Sequence, residues 1–214
     1  MARTARSNEE IEKTKEHILD QALEIIGEEG YDSLSMRKLG DRLGCAAKTI
    51  YNYFSSKEEI YIRVLTRGFE MLYVQAEAAL EGTTDPLEKL RILSAVYISF
   101  GMENANYYNI MFNWDVPKYT DYIDTVLEPV AREEKEVAFY FARAAEEALA
   151  EILKNTEDPE GQISFQVIRL WSGLHGLVSL YNSHGFREYV ANPEQYIYRI
   201  ANDLLSDLAN LRSE

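Results

Sequence analysis

Cysteine, histidine and long apolar runs are scarce in this 214-residue chain, and each scarcity argues against a class of protein. A single cysteine cannot form a disulfide within the chain, so a cytoplasmic location is expected. Three histidines, none in a cluster with metal-ligand spacing, predict that no metal is bound. No stretch reaches the roughly 20 apolar residues of a membrane span. The polar start MARTARSNEEIEKTKEH does not resemble a secretory signal.

Motifs that carry catalysis are missing as well. The sequence has no glycine-rich phosphate loop, no paired-cysteine motif and no G-x-S-x-G elbow. Its many carboxylates fall on helix surfaces, where a solvated face is the ordinary interpretation. We therefore expect neither enzymatic activity nor a cofactor.

Basic residues are outnumbered, 22 against 36 acidic ones, and the formal net charge is −14. The first 70 residues carry 11 basic and 13 acidic side chains, which leaves 11 and 23 for the rest. DNA should therefore repel the C-terminal part, as expected of a part that senses or dimerises.

The segment 34–60 has the pattern of two short helices joined by a glycine turn. Gly44 lies where a helix C-terminus needs a left-handed residue. Two helices too short to stand alone make a helix-turn-helix, whose second helix enters the DNA major groove. The apolar residues recur one helical turn apart in each half: Leu39, Leu43, Ile50 and Phe54.

This segment is also basic on an acidic chain. Residues 33–57 contain five basic side chains and one acid, Asp41. A solvated helical face is the alternative interpretation, but the glycine turn and apolar spacing coincide with the charge and favour attraction to DNA phosphates. The five cations are Arg37, Lys38, Arg42, Lys48 and Lys57.

The segment resembles the tetracycline-repressor (TetR) family of bacterial transcriptional regulators. The matching features are Ser35, Gly44, the run Thr49-Ile50-Tyr51-Asn52-Tyr53-Phe54, and Ser56-Lys57-Glu58. The resemblance extends upstream over residues 11–31. It implies an all-α fold with an N-terminal three-helix DNA-binding domain and a larger helical ligand-binding and dimerisation domain. A homodimer, a palindromic operator and a small-molecule effector are the implied partners, and repression is the implied role.

The candidate DNA contacts lie on and beside the second short helix, about residues 47–53. Lys57 lies in the first turn of the next helix, where exposed amides and an ammonium could hold a phosphate together. The resemblance implies the same contact for Lys57 and for Tyr51. For each candidate the alternative is an ordinary surface residue. The full set is Ser35, Arg37, Ala47, Lys48, Thr49, Tyr51, Asn52, Tyr53 and Lys57.

Three residues depart from the family pattern. Ala46 stands where a Ser or Thr usually caps the second helix, and losing that cap costs about 1 kcal/mol. Lys48 replaces a common Gly, and Leu43 replaces a usual Ala. The uncapped Ala46 leaves open an alternative function, a helical ligand-binding or protein-interaction dimer without specific operator binding. Cys45 is interpreted as a small buried residue, with a thiol redox switch as the alternative.

The predicted domains are residues 1–56 for DNA binding, 57–82 as a bridging helix, and 83–214 for ligand binding and dimerisation. Helix starts are predicted at Ser7 with Glu10, at Asp85-Pro86, at Asp158-Pro159 and at Pro193. A short aromatic helix is expected at 106–112. A long helix is expected from about 121 to 154, bent near Pro129.

Residues 171–176, WSGLHG, resemble a Trp-x-x-x-His-Gly signature in the ligand domain of one branch of the family. The resemblance would bring aromatic residues around a central cavity suited to a mostly apolar molecule. The alternative is that these rings simply fill the core. An inward-facing Glu103 would favour a cationic ligand. The candidates are Tyr97, Phe100, Glu103, Tyr107, Tyr108, Phe112, Trp114, Trp171 and His175.

Glycines in the helix around residue 175 cost stability unless another helix approaches closely. Packing within one subunit and a dimer interface are both possible explanations. The last helix adds a narrow apolar seam of the kind that joins helices. The predicted interface comprises Gly173, Gly176, Ile197, Ile200, Leu204, Leu208 and Leu211.

Overall fold

The computed structural model describes residues 7–211, apart from the side chains of residue 207 and of residues 209–211. Across this range the chain forms helices joined by turns, and the described part contains no strand. The predicted all-α fold, with an N-terminal helix-turn-helix and a larger helical C-terminal part, is confirmed.

The first helix, α1 (Asn8–Glu29), begins at the predicted capping box. The Glu10 amide donates to Ser7 Oγ at 3.2 Å, and the Ser7 amide donates to Glu10 Oε2 at 2.8 Å. These bonds satisfy two amides that a helix start otherwise leaves unpaired. The buried face of α1 consists of Ile18, Leu19, Ala22, Ile25 and Ile26.

Two short helices follow, α2 (Met36–Arg42) and α3 (Ala47–Ile50), with Gly44 between them at a φ of +63°. This left-handed conformation is the one that the sequence assigned to Gly44. The next helix, α4 (Lys57–Leu80), is 24 residues long. The predicted helix-turn-helix is therefore present.

In the middle of the chain, the first helix begins at the capping residue that the sequence predicted. Helix α5 (Pro86–Glu103) begins after Asp85, whose Oδ1 accepts the Glu88 amide at 2.9 Å. The predicted aromatic helix is α6 (Ala105–Tyr108), which continues into a wider π-helical turn, Asn109–Asn113. A 3₁₀ turn lies at Tyr119–Tyr122.

The long helix predicted for residues 121–154 is wrong. The chain forms α7 (Glu128–Ala138) and α8 (Tyr140–Leu153), separated at Phe139, and a turn with Asp124 at a φ of +62° precedes them. Pro129 is the second residue of α7 and does not bend it. An amide in the first turn has no intrahelical partner, so proline costs nothing there.

The last two helices are α9 (Pro159–Asn182) and α10 (Glu194–Leu211), which begin where the prolines predicted. Asp158 Oδ1 accepts the Gly161 amide at 3.1 Å and caps α9. Pro193 is buried directly before α10.

The chain divides into two compact units. The first unit comprises Met1–Phe69 and Asn106–Glu136, and the second comprises Glu70–Ala105 and Val137–Glu214. The second unit has a core formed by α5, α8, α9 and α10. The buried residues of this core are Leu87, Leu90, Ala148, Leu149, Ile152, Leu153, Leu170, Leu205 and Leu208.

Candidate functional site

The turn between α2 and α3 is packed backbone against backbone. A Cβ added to Gly40 would lie 2.6 Å from the Cys45 carbonyl oxygen and 3.0 Å from the Ala47 amide nitrogen. The Cys45 amide donates to the Gly40 carbonyl at 2.9 Å. Gly40 therefore sets how closely α3 approaches α2, and the sequence interpretation did not single it out.

The two short helices differ in their caps. Ser35 Oγ accepts the Lys38 amide at 3.2 Å, whereas Ala46 provides no side-chain cap for α3. Helix α3 itself has four residues, and a tighter turn continues it, in which the Tyr53 amide donates to the Ile50 carbonyl at 2.9 Å. The predicted recognition segment is thus helical only at its start.

Four of the nine predicted DNA contacts are exposed, and the other five keep partial exposure. The Arg37 side chain is 91% exposed and the Tyr51 residue 56% exposed. Lys48 and Asn52 are also exposed, and Ile50 is buried as expected of a core residue. Five of the candidates are partly buried: Ser35, Ala47, Thr49, Tyr53 and Lys57.

Two of the five cations counted in residues 33–57 are already paired with acids of α1. Lys38 Nζ bonds Glu29, and the Arg42 guanidinium bonds Glu28 and, at 3.0 Å, Glu24. The local excess of positive charge is therefore smaller than the segment alone suggests. Of the other three cations, Arg37 forms a long, exposed pair with Asp41, with Nε and Oδ2 3.9 Å apart. The cations most available to a phosphate backbone are therefore Arg37, Lys48 and Lys57.

The start of α4 holds Lys57 beside an aromatic ring. Ser56 Oγ accepts the Glu59 amide at 3.2 Å, and the Ser55 amide and hydroxyl both donate to Glu59 Oε2 at 2.6 Å. The Lys57 ammonium lies 4.9 Å from the centroid of the Tyr31 ring.

Arg67 of α4 joins three segments of the first unit, and sequence reasoning missed it. Its guanidinium donates to Glu16 at 2.7 Å, to Asp20 at 2.6 Å, and to the Tyr107 hydroxyl. Burial raises the pKa of Tyr107, although the positive charge of Arg67 opposes this shift. The three partners lie 40 to 51 residues away in the sequence, so no local pattern could reveal this junction.

Four predicted ligand residues belong to the first unit: Tyr107, Tyr108, Phe112 and Trp114. Tyr107 and Tyr108 are buried, and the Phe112 ring packs 5.2 Å from the Tyr108 ring and 5.8 Å from the Phe69 ring. The rings of Phe69, Tyr108 and Phe112 thus pack against one another, and the ligand role of Tyr107, Tyr108 and Phe112 stays a prediction. Trp114 is partly buried.

Three other candidates meet in the second unit. Trp171 Nε1 donates to the hydroxyl of the buried Tyr97 at 3.2 Å, and that hydroxyl lies 3.5 Å from His175 Nδ1. His175 Nε2 is 3.4 Å from Ser179 Oγ. Burial lowers the pKa of His175, which favours the neutral ring. Phe100 is fully buried in the same unit.

Glu103 does not face inward. It is exposed at the end of α5, near Tyr198. The condition under which it would have favoured a cationic ligand is not met.

The predicted interface residues divide into two groups. Ile197 and Leu208 are buried within one chain, and a Cβ on Gly173 would lie 2.5 Å from Cδ1 of Leu204 in the same chain. Ile200 is 42% exposed, and a Cβ on Gly176 would meet open space. The side chain of Leu211 lies outside the described residues.

Among the exposed apolar residues of α9 are Phe165 and Ile168, at 59% and 62% exposure. They are three residues apart and so lie on one face of the helix.

No group of three or more metal-ligating side chains comes together in the part of the chain that the structure describes. Among residues 7–211, none of the helices has both the length and the apolar character needed to cross a membrane.

Two family profiles match the sequence. "Bacterial regulatory proteins, tetR family" matches residues 18–64, and "Tetracyclin repressor-like, C-terminal domain" matches residues 90–204, which is more than half of the chain. The first match contains the helix-turn-helix, and the second contains Tyr97, Trp171 and His175.

Curated relatives include an activator and a repressor. The HTH-type transcriptional activator FasR of Mycolicibacterium smegmatis is 32% identical over 98 residues, 46% of this chain and 45% of its own length. The HTH-type transcriptional repressor KstR of the same organism is 35% identical over 80 residues, 37% and 39% respectively. The chain therefore spans less than half the length of these relatives.

Solved structures share the fold over nearly the whole chain. The fatty acid degradation regulator FadR of Bacillus halodurans has a TM-score of 0.62 at 18% identity and covers 96% of both chains. FadR of Bacillus subtilis, in complex with stearoyl-CoA, has a TM-score of 0.63 at 18% identity and covers 90% of this chain and 96% of its own.

Proposed function

Because the chain belongs to the TetR family of bacterial regulatory proteins, we propose that it is a ligand-responsive transcriptional regulator, acting as a repressor that binds a palindromic operator as a homodimer. The observation that carries this proposal is the exposed set Arg37, Lys48 and Tyr51 on a helix-turn-helix. In such a motif, the second helix of each subunit contacts base edges and phosphates in successive major grooves.

A dimer without specific operator binding is the second candidate. The uncapped, four-residue α3 favours it, because a short helix without a cap is marginal on its own. A gel-shift assay with the DNA upstream of the chain's own gene separates the two candidates. A discrete complex that persists when a scrambled duplex is added as competitor would support the operator-binding regulator.

Lys57→Ala and Lys48→Ala should weaken DNA binding in different ways. We expect Lys57→Ala to lower affinity for all duplexes similarly and to flatten the salt dependence by about one unit per half-site, because it removes one phosphate contact from each subunit. Lys48→Ala should instead change the preference among operator variants, because Lys48 lies beside the bases. Binding isotherms at several salt concentrations measure both effects.

Lys13→Ala is the matched control, since this exposed lysine of α1 already pairs with Glu9 at 2.7 Å. It should leave both affinity and salt slope unchanged. An unchanged salt slope in Lys57→Ala would contradict the proposed docking of the helix-turn-helix on DNA.

For the effector we propose a small, mostly apolar molecule that binds in the second unit near Tyr97, Trp171 and His175. The polar anchors there are the buried Tyr97 hydroxyl, the Trp171 indole N–H and the neutral His175 imidazole. The Phe141 ring, 5.9 Å from the Tyr97 ring, adds an apolar neighbour. Binding would favour one of two separations of the DNA-binding domains and so release the operator. The resemblance of residues 171–176 to the Trp-x-x-x-His-Gly branch agrees with this location.

Effector binding should change tryptophan fluorescence and lower operator affinity together. Stearate is the first probe, because it is the apolar acyl part of stearoyl-CoA, the ligand in the FadR structure. Trp114→Phe leaves Trp171 as the sole tryptophan reporter. We expect Tyr97→Phe to weaken the response, because it removes the hydroxyl that the indole N–H contacts. Compounds that bind tightly yet leave operator affinity unchanged would contradict the coupling.

A further inference from the structure

We propose that Tyr31 is a positioning residue that holds the Lys57 ammonium where it meets a DNA phosphate. This inference rests on the proposed DNA binding. The Lys57 Nζ atom lies 4.9 Å from the centroid of the Tyr31 ring, within the distance at which a ring face attracts a cation. Tyr31 follows α1 in the sequence, 26 positions before Lys57, and no local motif links the two.

A ring holds a cation differently from a carboxylate. Among the described ion pairs of the first unit, Lys38, Arg42 and Arg67 each bond carboxylates of α1. Such a pair cancels the charge that a phosphate would attract. The face of an aromatic ring restricts the lysine side chain without neutralising it. Lys57 is therefore pre-ordered while its full charge stays available, which lowers the entropic cost of forming the phosphate contact.

The Tyr31 ring is itself fixed by its surroundings. Gly30, at a φ of +85°, turns the chain out of α1 and places Tyr31 in a 3₁₀ turn. The ring packs edge-on against Tyr61, with centroids 4.8 Å apart. Tyr61 is fully buried on α4, and its hydroxyl donates to the Pro117 carbonyl at 3.4 Å. The Tyr31 ring that contacts Lys57 is thus held against a core residue of the first unit.

A double-mutant cycle tests the role of Tyr31. The variants are Tyr31→Leu, Lys57→Met and the pair, with binding measured to a duplex from upstream of the chain's own gene and to a scrambled duplex. We expect Tyr31→Leu to weaken binding about three-fold for each half-site, roughly ten-fold for a dimer, since an exposed cation–π contact has this strength. Tyr31→Phe, which keeps the ring, should stay within about two-fold of wild type.

The coupling between the two positions decides the outcome. In the Lys57→Met background, Tyr31→Leu should cost almost nothing further, because the cation that the ring positions is gone. Equal losses in both backgrounds would show that Tyr31 only supports the core, and no loss in either would show that the ring does not contribute to DNA binding. Both results contradict the proposal. A wild-type chain that binds neither duplex would remove the proposed function together with this inference. If thermal unfolding shows that Tyr31→Leu does not fold, Tyr31→Met replaces it in the cycle.

Discussion

Gly40→Val is expected to abolish operator binding while the second unit stays folded. Even the first carbon of a side chain at this position would lie 2.6 Å from the Cys45 carbonyl oxygen and 3.0 Å from the Ala47 nitrogen. Both are backbone atoms of the turn that leads into α3, so neither can rotate away. Overpacking of this kind costs about 3 kcal/mol or more for a branched side chain, which corresponds to a loss of more than about 100-fold in DNA affinity.

The matched control is His17→Val, at an exposed position of α1 that is outside the candidate DNA contacts. It carries the same β-branched cost in a helix but meets solvent instead of backbone. Gly40→Ala should fall between the two variants, because the gain in helix propensity offsets only part of the clash. Circular dichroism and duplex binding check the series. Wild-type affinity in Gly40→Val would mean that α3 can move away from α2 without harm.

Local signals in the sequence predicted the helix boundaries well. Gly44 takes the left-handed conformation that was assigned to it, and Asp85, Asp158 and Ser7 cap the helices that they were expected to cap. Each of these features depends on residues within four positions of one another, so one sequence contains the whole interaction. The same holds for Ser35 at the start of α2.

The break between α7 and α8 could not be predicted in the same way. Proline suggested a bend at residue 129, but its effect depends on where the helix begins, and here Pro129 falls in the first turn. The two helices separate at Phe139, and a phenylalanine side chain disfavours a helix only weakly. The break is therefore set by packing, which a local pattern does not contain.

The electrostatics of the candidate DNA surface show the same limit. Counting charges along residues 33–57 treats Lys38 and Arg42 as available cations, whereas both are paired with acids 9 to 18 positions earlier. Gly40 and Tyr31 were missed for a related reason, since a close approach or a ring beneath an ammonium appears only after folding. The sequence predicted the ligand residues least completely, because only three of the nine candidates meet in one hydrogen-bonded group.

Ile168→Glu should convert the proposed dimer into monomers and remove operator binding. Phe165 and Ile168 present an apolar face on α9 that the described part of the chain leaves 59% and 62% exposed, and Ile200 on α10 is 42% exposed. A two-fold interface uses the same face of both subunits, so one substitution acts twice. Losing an apolar contact and burying a carboxylate costs about 2 kcal/mol or more per copy, which weakens dimerisation roughly 1000-fold. Sedimentation at micromolar concentration measures the change.

Leu204→Glu, in the predicted apolar seam of α10, is a poorer test. Leu204 packs against Gly173 within the subunit, so a charge there would loosen the core and the interface together. Ala150→Glu adds the same charge at an exposed position of α8, so it is the matched control and should leave the dimer intact. If Ile168→Glu sediments as wild type does, α9 is not the interface. If it is monomeric yet still binds one duplex with wild-type affinity, a dimer is not needed to hold two half-sites.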